Sequence, residues 1–140
     1  MIFIVDTNIV FAGLLKNSVT REILIDSPFI LYAPETMVKE IRKHENLIIQ
    51  KSGLSEEEFE ALFNLLTDSI QILERHVYSE SMEEAEKIIG HIDKGDAPFL
   101  ALALSVPNNG IWTENIRHFG KQDKVKIWTT KDIIEMLGKI

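Results

Sequence analysis

The sequence predicts an α/β protein, a three-layer α/β/α sandwich around a mostly parallel sheet of about five strands. Three observations support this fold class. Short apolar runs of strand length alternate along the chain with longer amphipathic segments of helix length. The first run, Ile2–Val5, is apolar throughout, as in parallel strands that are buried on both faces. The chain has 140 residues, the size of one domain, so we expect a single domain over residues 1–140.

Strands and helices follow in chain order from these runs. The predicted strands are residues 2–5, 29–32, 70–73, 110–113 and 125–128. The predicted helices are residues 9–15, 20–26, 37–51, 55–67, 81–89, 96–106 and a final helix that begins at Thr130. Because two helices follow each other without a strand between residues 37 and 67, we expect a helical hairpin beside or above the sheet.

Capping residues support several of these helix boundaries. Ser55 and Glu58 have the spacing of a capping box. Asp96 has the position of an N-cap, and Thr130 is predicted to cap the last helix. Residues 99–106 are apolar on nearly all sides, which predicts that this helix lies in the centre of the protein.

Composition excludes several classes of protein. There is no cysteine, so disulfides, thiolate metal sites and a cysteine nucleophile are excluded, and we expect a cytoplasmic protein. No apolar stretch approaches the roughly 20 residues of a membrane span, so no membrane partner is expected. The net charge of −7 argues against a protein that coats nucleic acid. It does not exclude a nuclease, because clustered carboxylates can bind cations that invert the local field.

Acidic or amide residues occur at four places where predicted strands end or helices begin. They are Asp6, then Glu40, then Asp93 with Asp96, and finally Glu114 with Asn115. The carboxyl ends of parallel strands share one edge of the sheet, so Asp6, Glu40, Asp96 and the region of Glu114 can converge there. Such oxygen-rich clusters bind hard divalent cations such as Mg²⁺ or Mn²⁺. The four histidines share no metal-ligand spacing, and His118 is the most interesting of them because Arg117 precedes it and the fourth predicted strand ends nearby.

Each of these residues also has a purely structural interpretation. Asp96 is a good helix cap, Asp93 is an ordinary polar loop residue, and Glu114 can belong to a turn. Glu40 can form an ion pair with basic residues of its own helix. Asp6 is different, because a lone carboxylate at the end of a central strand is either hydrogen-bonded to the backbone or used in chemistry.

Four sequence blocks, in this order, resemble those of the PIN-domain family. The blocks are residues 4–8 (IVDTN), residues 32–40 (YAPE to Glu40), residues 93–103 (DKGDAPFLALA) and residues 112–119 (WTEN to HF). Any one block is a weak signal, but four at this spacing are fairly specific, and together they span almost the whole chain. The fourth block carries Asn115 where the family often has Asp, and the adjacent Glu114 is a possible substitute.

The resemblance implies a metal-dependent single-strand ribonuclease, as in the toxins of toxin–antitoxin pairs. On this interpretation Asp6, Glu40 and Asp96 bind Mg²⁺ or Mn²⁺, and Glu114 is a further catalytic acid. Supporting hydrogen bonds would come from Thr7, Asn8, Thr113, Asn115 and Asp93. Phosphate contacts would come from Arg42, Lys43, Arg117 and Lys121.

The resemblance also implies partners. These are single-stranded or structured RNA, a second copy of the chain in a homodimer, and an antitoxin that covers the site. A non-enzymatic alternative remains, which is a degenerate PIN module that binds RNA or a protein partner without cleavage.

Overall fold

Five strands form one sheet in the computed structural model, which describes residues 1–138 of the chain. The strands are β1 (Ile2–Val5), β2 (Ile30–Pro34), β3 (Gln71–Leu73), β4 (Ile111–Trp112) and β5 (Ile127–Trp128). Their order is β3-β2-β1-β4-β5, and every neighbouring pair is parallel. The predicted α/β/α fold with a parallel sheet is therefore confirmed. β4 and β5 have only two residues each and are shorter than the sequence predicts.

Helices occupy most of the chain between the strands. They are α1 (Thr7–Leu15), α2 (Val19–Asp26), α3 (Glu35–Lys43), α4 (Glu45–Ser52), α5 (Glu56–Asp68), α6 (Arg75–Tyr78), α7 (Met82–Ala85), α8 (Ala97–Ser105), α9 (Ile116–Phe119) and α10 (Thr130–Leu137). Tighter 3₁₀ turns lie at Ser79–Ser81 and Lys94–Asp96, and a wider π turn lies at Glu86–Gly90.

Two groups of helices flank the sheet. One group is built around α1, which contacts α2, α3, α4 and α5. The other is built around α8, which contacts α6, α7 and three strands, β1, β2 and β4. The first seven residues of α8 are all buried, which confirms that this apolar helix is central. Its position over the middle of the sheet places its N-terminus next to the end of β1.

Some predicted helix boundaries are wrong. The predicted helix 37–51 begins earlier, at Glu35, and is divided at His44, whose backbone leaves the helical region (φ −108°, ψ 15°). The predicted helix 81–89 changes from α7 into the π turn. The last helix is capped by Thr129 and not by Thr130, because Thr129 Oγ1 accepts a hydrogen bond from the backbone N–H of Asp132 at 3.2 Å.

Other local predictions are confirmed. Ser55 Oγ accepts a hydrogen bond from the Glu58 backbone at 3.0 Å, and the Glu58 carboxylate accepts one from the Ser55 backbone at 2.9 Å, which completes the capping box. Residues 37–67, where the sequence predicts a helical hairpin, contain α4 and α5, and both of these helices pack on α1.

Within residues 1–138, no helix is long and apolar enough to cross a membrane.

Candidate metal centre at the carboxyl edge of the sheet

Asp6 lies at the carboxyl edge because it directly follows β1. The parallel pairing of β1 with β4 aligns Val5 with Trp112, so the next residue of each strand, Asp6 and Thr113, are also neighbours. The Thr113 hydroxyl donates a hydrogen bond to Asp6 Oδ2 at 2.6 Å, and it accepts one from the backbone N–H of Asn115 at 2.9 Å. Asp6 is only 3% exposed and Thr113 is fully buried. The register of the sheet brings this pair together, and no local sequence signal predicts the contact.

Burial gives the Asp6 carboxyl an unusual affinity for protons. Desolvation is the largest cause, and with the nearby carboxylates of Asp96 and Asp93 it raises the pKa of Asp6 from 3.8 to about 6. Hydrogen bonds from the Thr113 hydroxyl and the Thr7 backbone oppose this rise. A buried carboxylate that faces other carboxylates is stabilised when a cation lies between them, so its environment fits a bound metal.

Asp96 lies at the end of the 3₁₀ turn, immediately before α8. It has the position of an N-cap, yet within the described chain its side chain makes no capping hydrogen bond. Instead, Asp96 Oδ2 lies 2.6 Å from Nδ1 of His118 on α9. Burial raises the pKa of Asp96, and the hydrogen bond with His118 opposes this. A capping role therefore does not account for this residue.

The buried polar side chains concentrate at this one edge of the sheet. Between residues 1 and 138 they are Asp6, Thr7, Asp96 and Thr113. Burial of a charged group costs free energy unless a partner compensates it, so such groups are rare in interiors. Two buried carboxylates side by side indicate a site that is maintained for binding or chemistry.

A cleft of about 750 Å³ opens at this edge, and Asp6, Glu40 and Asp96 all line it. Glu40, on α3, is half exposed, and its Oε1 lies 3.6 Å from His44 Nε2. Its ionic neighbour is thus a histidine, whereas the sequence suggested a lysine or arginine. Thr36 also lines the cleft, and its buried Oγ1 has no hydrogen-bond partner within the described residues. The three residues predicted to bind metal therefore line the same cleft.

The residues predicted to support this site have different positions. Thr7 and Asn8 line the cleft, but Thr7 contributes its backbone N–H to Asp6, and the side-chain hydrogen bond comes from Thr113. Asp93 is exposed, and its Oδ1 accepts a hydrogen bond from the Gly95 backbone at 2.8 Å. Asn115 Nδ2 lies 2.8 Å from His118 Nδ1, so Asn115 is at the site through that contact.

Glu114 does not join the other carboxylates. Consecutive residues at a strand end point in opposite directions, and Thr113 points inward. Glu114 is exposed, and its Oε1 accepts a hydrogen bond from the Thr130 backbone at 2.7 Å, at the first turn of α10. In this structure Glu114 therefore caps a helix, and its predicted role beside Asp6 is not supported by the geometry.

The predicted phosphate-binding residues also lie away from the cleft lining. Arg42 binds Glu45 at 2.8 Å and also binds Glu60, and its guanidinium lies 4.4 Å above the ring of Phe63. Residues two apart on a helix do not face each other, so Arg42 and Glu40 point to different sides of α3. The other three, Lys43, Arg117 and Lys121, are exposed. Two lysines do line the cleft, Lys39 and Lys94, and sequence reasoning missed both as phosphate contacts.

His118 is a further residue that sequence reasoning left without a role. It offers one ligand atom in a group with Asp93 and Asp96 whose ligand atoms all lie within 4.8 Å of one another. The sequence did contain a signal that His118 belongs to the site. His118 lies three residues after Asn115, and this spacing places both residues on one side of a helical turn.

The chain thus combines a five-stranded parallel sheet with acidic residues that line a cleft at its carboxyl edge. The family profile described as PIN domain matches residues 4–137 of the chain. The chain therefore belongs to the PIN-domain family, and the resemblance found in the four sequence blocks is confirmed. A comparison with curated proteins gave no match.

Proposed function

We propose that this protein is a metal-dependent endoribonuclease that hydrolyses phosphodiester bonds in single-stranded RNA. The observation that carries the proposal is the burial of two carboxylates, Asp6 and Asp96, in the lining of one open cleft. Membership of a family with a nuclease-like fold supports it. Asp6, Glu40 and Asp96 would hold the cation, which we take to be Mg²⁺ or Mn²⁺ because all three supply carboxylate oxygens.

The proposed chemistry divides between the cation and the chain. A bound divalent cation would supply Lewis acidity, which activates water and offsets charge on the phosphate. The Thr113 hydroxyl holds Asp6 in one orientation, and His118 does the same for Asp96. Such hydrogen bonds fix the carboxylates before a cation binds, which lowers the cost of assembling the site.

The cleft also favours a particular form of substrate. Asp6 is 3% exposed, so a phosphate must enter the cleft to approach it. A flexible single strand can bend into such a cleft, whereas the backbone of a rigid duplex cannot follow it. Lys39 and Lys94 line the same cleft and supply positive charge for the flanking phosphates.

A second candidate function is a PIN module that binds RNA or a protein without cleavage. Two residues favour this second candidate. Glu114 points to α10, and Asn115 carries no charge. A site with fewer carboxylates binds a second cation less tightly. A role as a toxin, an antitoxin partner and a homodimer remain predictions from the family resemblance, and a cytoplasmic location remains a prediction from composition.

Cleavage of labelled single-stranded RNA tests the proposal. Wild type, Asp6→Asn and Asp68→Asn would be compared with Mn²⁺, with Mg²⁺ and with EDTA. Asp68→Asn is the matched control, because it makes the same chemical change at an exposed helix end outside the cleft. We expect wild type and Asp68→Asn to cleave only with metal, and Asp6→Asn to be inactive. Equal cleavage by Asp6→Asn, or cleavage in EDTA, would overturn the proposal.

A further inference from the structure

His118 contacts Asp96, one of the residues proposed to hold the cation, through a ring nitrogen. Its Nδ1 lies 2.6 Å from Asp96 Oδ2 and 2.8 Å from Asn115 Nδ2. The imidazole is mostly buried, with 22% of its side chain exposed, and the Asp96 side chain is 12% exposed. Two polar groups from two segments of the chain thus converge on one ring nitrogen.

We propose that His118 is a nitrogen ligand of the cation bound at Asp96, with Asp93 as a further oxygen ligand, and that this donor set favours Mn²⁺ over Mg²⁺. The inference rests on the metal dependence in the proposed function, and it adds a ligand of a different chemical type. The ligand atoms of Asp93, Asp96 and His118 already lie within 4.8 Å of one another.

The spacing of the atoms suits a shared cation. Adjacent ligands of an octahedral ion at about 2.1–2.2 Å lie about 3 Å apart. The Nδ1–Oδ2 distance of 2.6 Å is a little shorter, so a small separation of the two side chains makes room for an ion. Asp93 is exposed on the short 3₁₀ turn before α8, where a small movement disturbs little packing.

The nitrogen ligand has a consequence for metal choice. Mg²⁺ strongly prefers oxygen ligands, whereas imidazole is a common ligand of transition metals. Asn115 lies where the fourth sequence block of the family often has Asp, so the site has one negative charge fewer. A neutral imidazole does not replace that charge. The site should therefore discriminate between metals by ligand type more than by total charge.

Pulsed electron paramagnetic resonance on the Mn²⁺-loaded full chain tests the assignment without RNA. Nitrogen-14 modulation of the spin echo reports a nitrogen bound to Mn²⁺. We expect this modulation in wild type and in the control His76→Gln, whose side chain is 75% exposed. We expect it to be lost in His118→Gln and in His118→Asp. Calorimetric titration should show Mn²⁺ binding weakened about tenfold or more in His118→Gln, and Mg²⁺ binding less affected.

Other results would overturn the inference. Bound Mn²⁺ without nitrogen modulation in wild type would show that His118 only orients Asp96. Modulation that persists in His118→Gln and disappears in His44→Gln would assign the nitrogen to His44. Absence of Mn²⁺ binding in wild type would also overturn it. Failure of the proposed function is a separate outcome, because a protein with the nitrogen signal that cleaves no RNA would contradict only the nuclease. His118→Asp offers an oxygen ligand and serves as the second variant if His118→Gln does not fold.

Discussion

Asp6 is maintained at a cost to the stability of the protein. Its carboxylate is buried beside two other acids, and the pKa rise to about 6 shows that the charged form is disfavoured in the folded state. Strained or destabilising groups persist where function needs them, and the cost is borne by the rest of the fold. The Thr113 hydrogen bond recovers part of this cost and fixes the orientation of the carboxylate.

Replacement of Asp6 by Asn should stabilise the metal-free protein. The unfolded chain releases the Asp6 proton near pH 3.8 and the folded chain near pH 6, so the contribution of this group to stability falls as pH rises between these values. We expect Asp6→Asn to be more stable than wild type by about 1–3 kcal/mol at pH 7, and the difference to shrink towards pH 4. Urea denaturation in EDTA measures this, with Asp68→Asn as the control. A variant less stable than wild type at pH 7 would contradict the argument.

Lys94 should contribute to RNA binding, and Arg42 should not. Lys94 lines the cleft, whereas Arg42 is held by Glu60 on a different side of α3. We expect Lys94→Ala to weaken RNA binding and to reduce the slope of log affinity against log salt by about 1. Arg42→Ala is the matched control and should leave this slope unchanged. Fluorescence titrations at several salt concentrations measure both, and an equal loss in the two variants would contradict the assignment.

Local sequence signals predicted the elements better than their boundaries. The Ser55 capping box and the central apolar helix depend on nearby residues, and both are confirmed. The division at His44 and the π turn at Glu86–Gly90 interrupt helices whose apolar periodicity continues through them, so periodicity alone does not predict either feature. The cap of α10 was misplaced by one residue, because Thr129 and Thr130 are equally plausible caps by residue type. The Thr130 hydroxyl instead accepts a hydrogen bond from Trp112 at 2.9 Å.

Gly110 should be essential for the short strand β4. Its φ is +136°, and a Cβ at this position would lie 2.3 Å from the carbonyl oxygen of Lys126. We expect Gly110→Ala to destabilise the protein by about 2–4 kcal/mol, because both the backbone conformation and the space oppose a side chain. Since β4 positions Thr113, metal affinity should fall as well.

Gly53 provides the control for this prediction. It also has a positive φ, +74°, but a Cβ there would meet no atom within 4 Å. Gly53→Ala should cost only about 1 kcal/mol, which is the penalty of the left-handed conformation alone. Thermal or urea unfolding compares the two variants. Equal destabilisation would show that close packing against Lys126 is not the cause.

Assembly of the site requires the whole fold. Asp6 and Thr113 are 107 positions apart in the chain, and Asp96 and His118 are 22 apart. The rule that parallel strands share a carboxyl edge was enough to predict that Asp6, Glu40 and Asp96 lie at that edge, where they line one cleft. It was not enough to predict side-chain direction, so it placed Glu114 in the site and overlooked Lys39, Lys94 and His118. These positions depend on strand register and on the turns after each strand.

Metal binding should therefore stabilise the protein as a whole. A ligand that binds only the folded state adds about 2.7 kcal/mol at one hundred times its dissociation constant. We expect Mn²⁺ to raise the unfolding temperature of wild type and to have little effect on Asp96→Asn. EDTA should reverse the increase. An equal increase in both proteins would place the bound metal outside this cleft.

The central claim is that the carboxylates at the end of the sheet hold a cation as one unit. Crystals soaked in Mn²⁺ and measured at the manganese absorption edge test this most directly, because the anomalous signal locates the ion. We predict a peak in the cleft within bonding distance of Asp6 or Asp96, and no cleft peak in crystals of Asp6→Asn. A wild-type protein that cleaves RNA with Mn²⁺, yet has its only peak outside the cleft, would contradict the account.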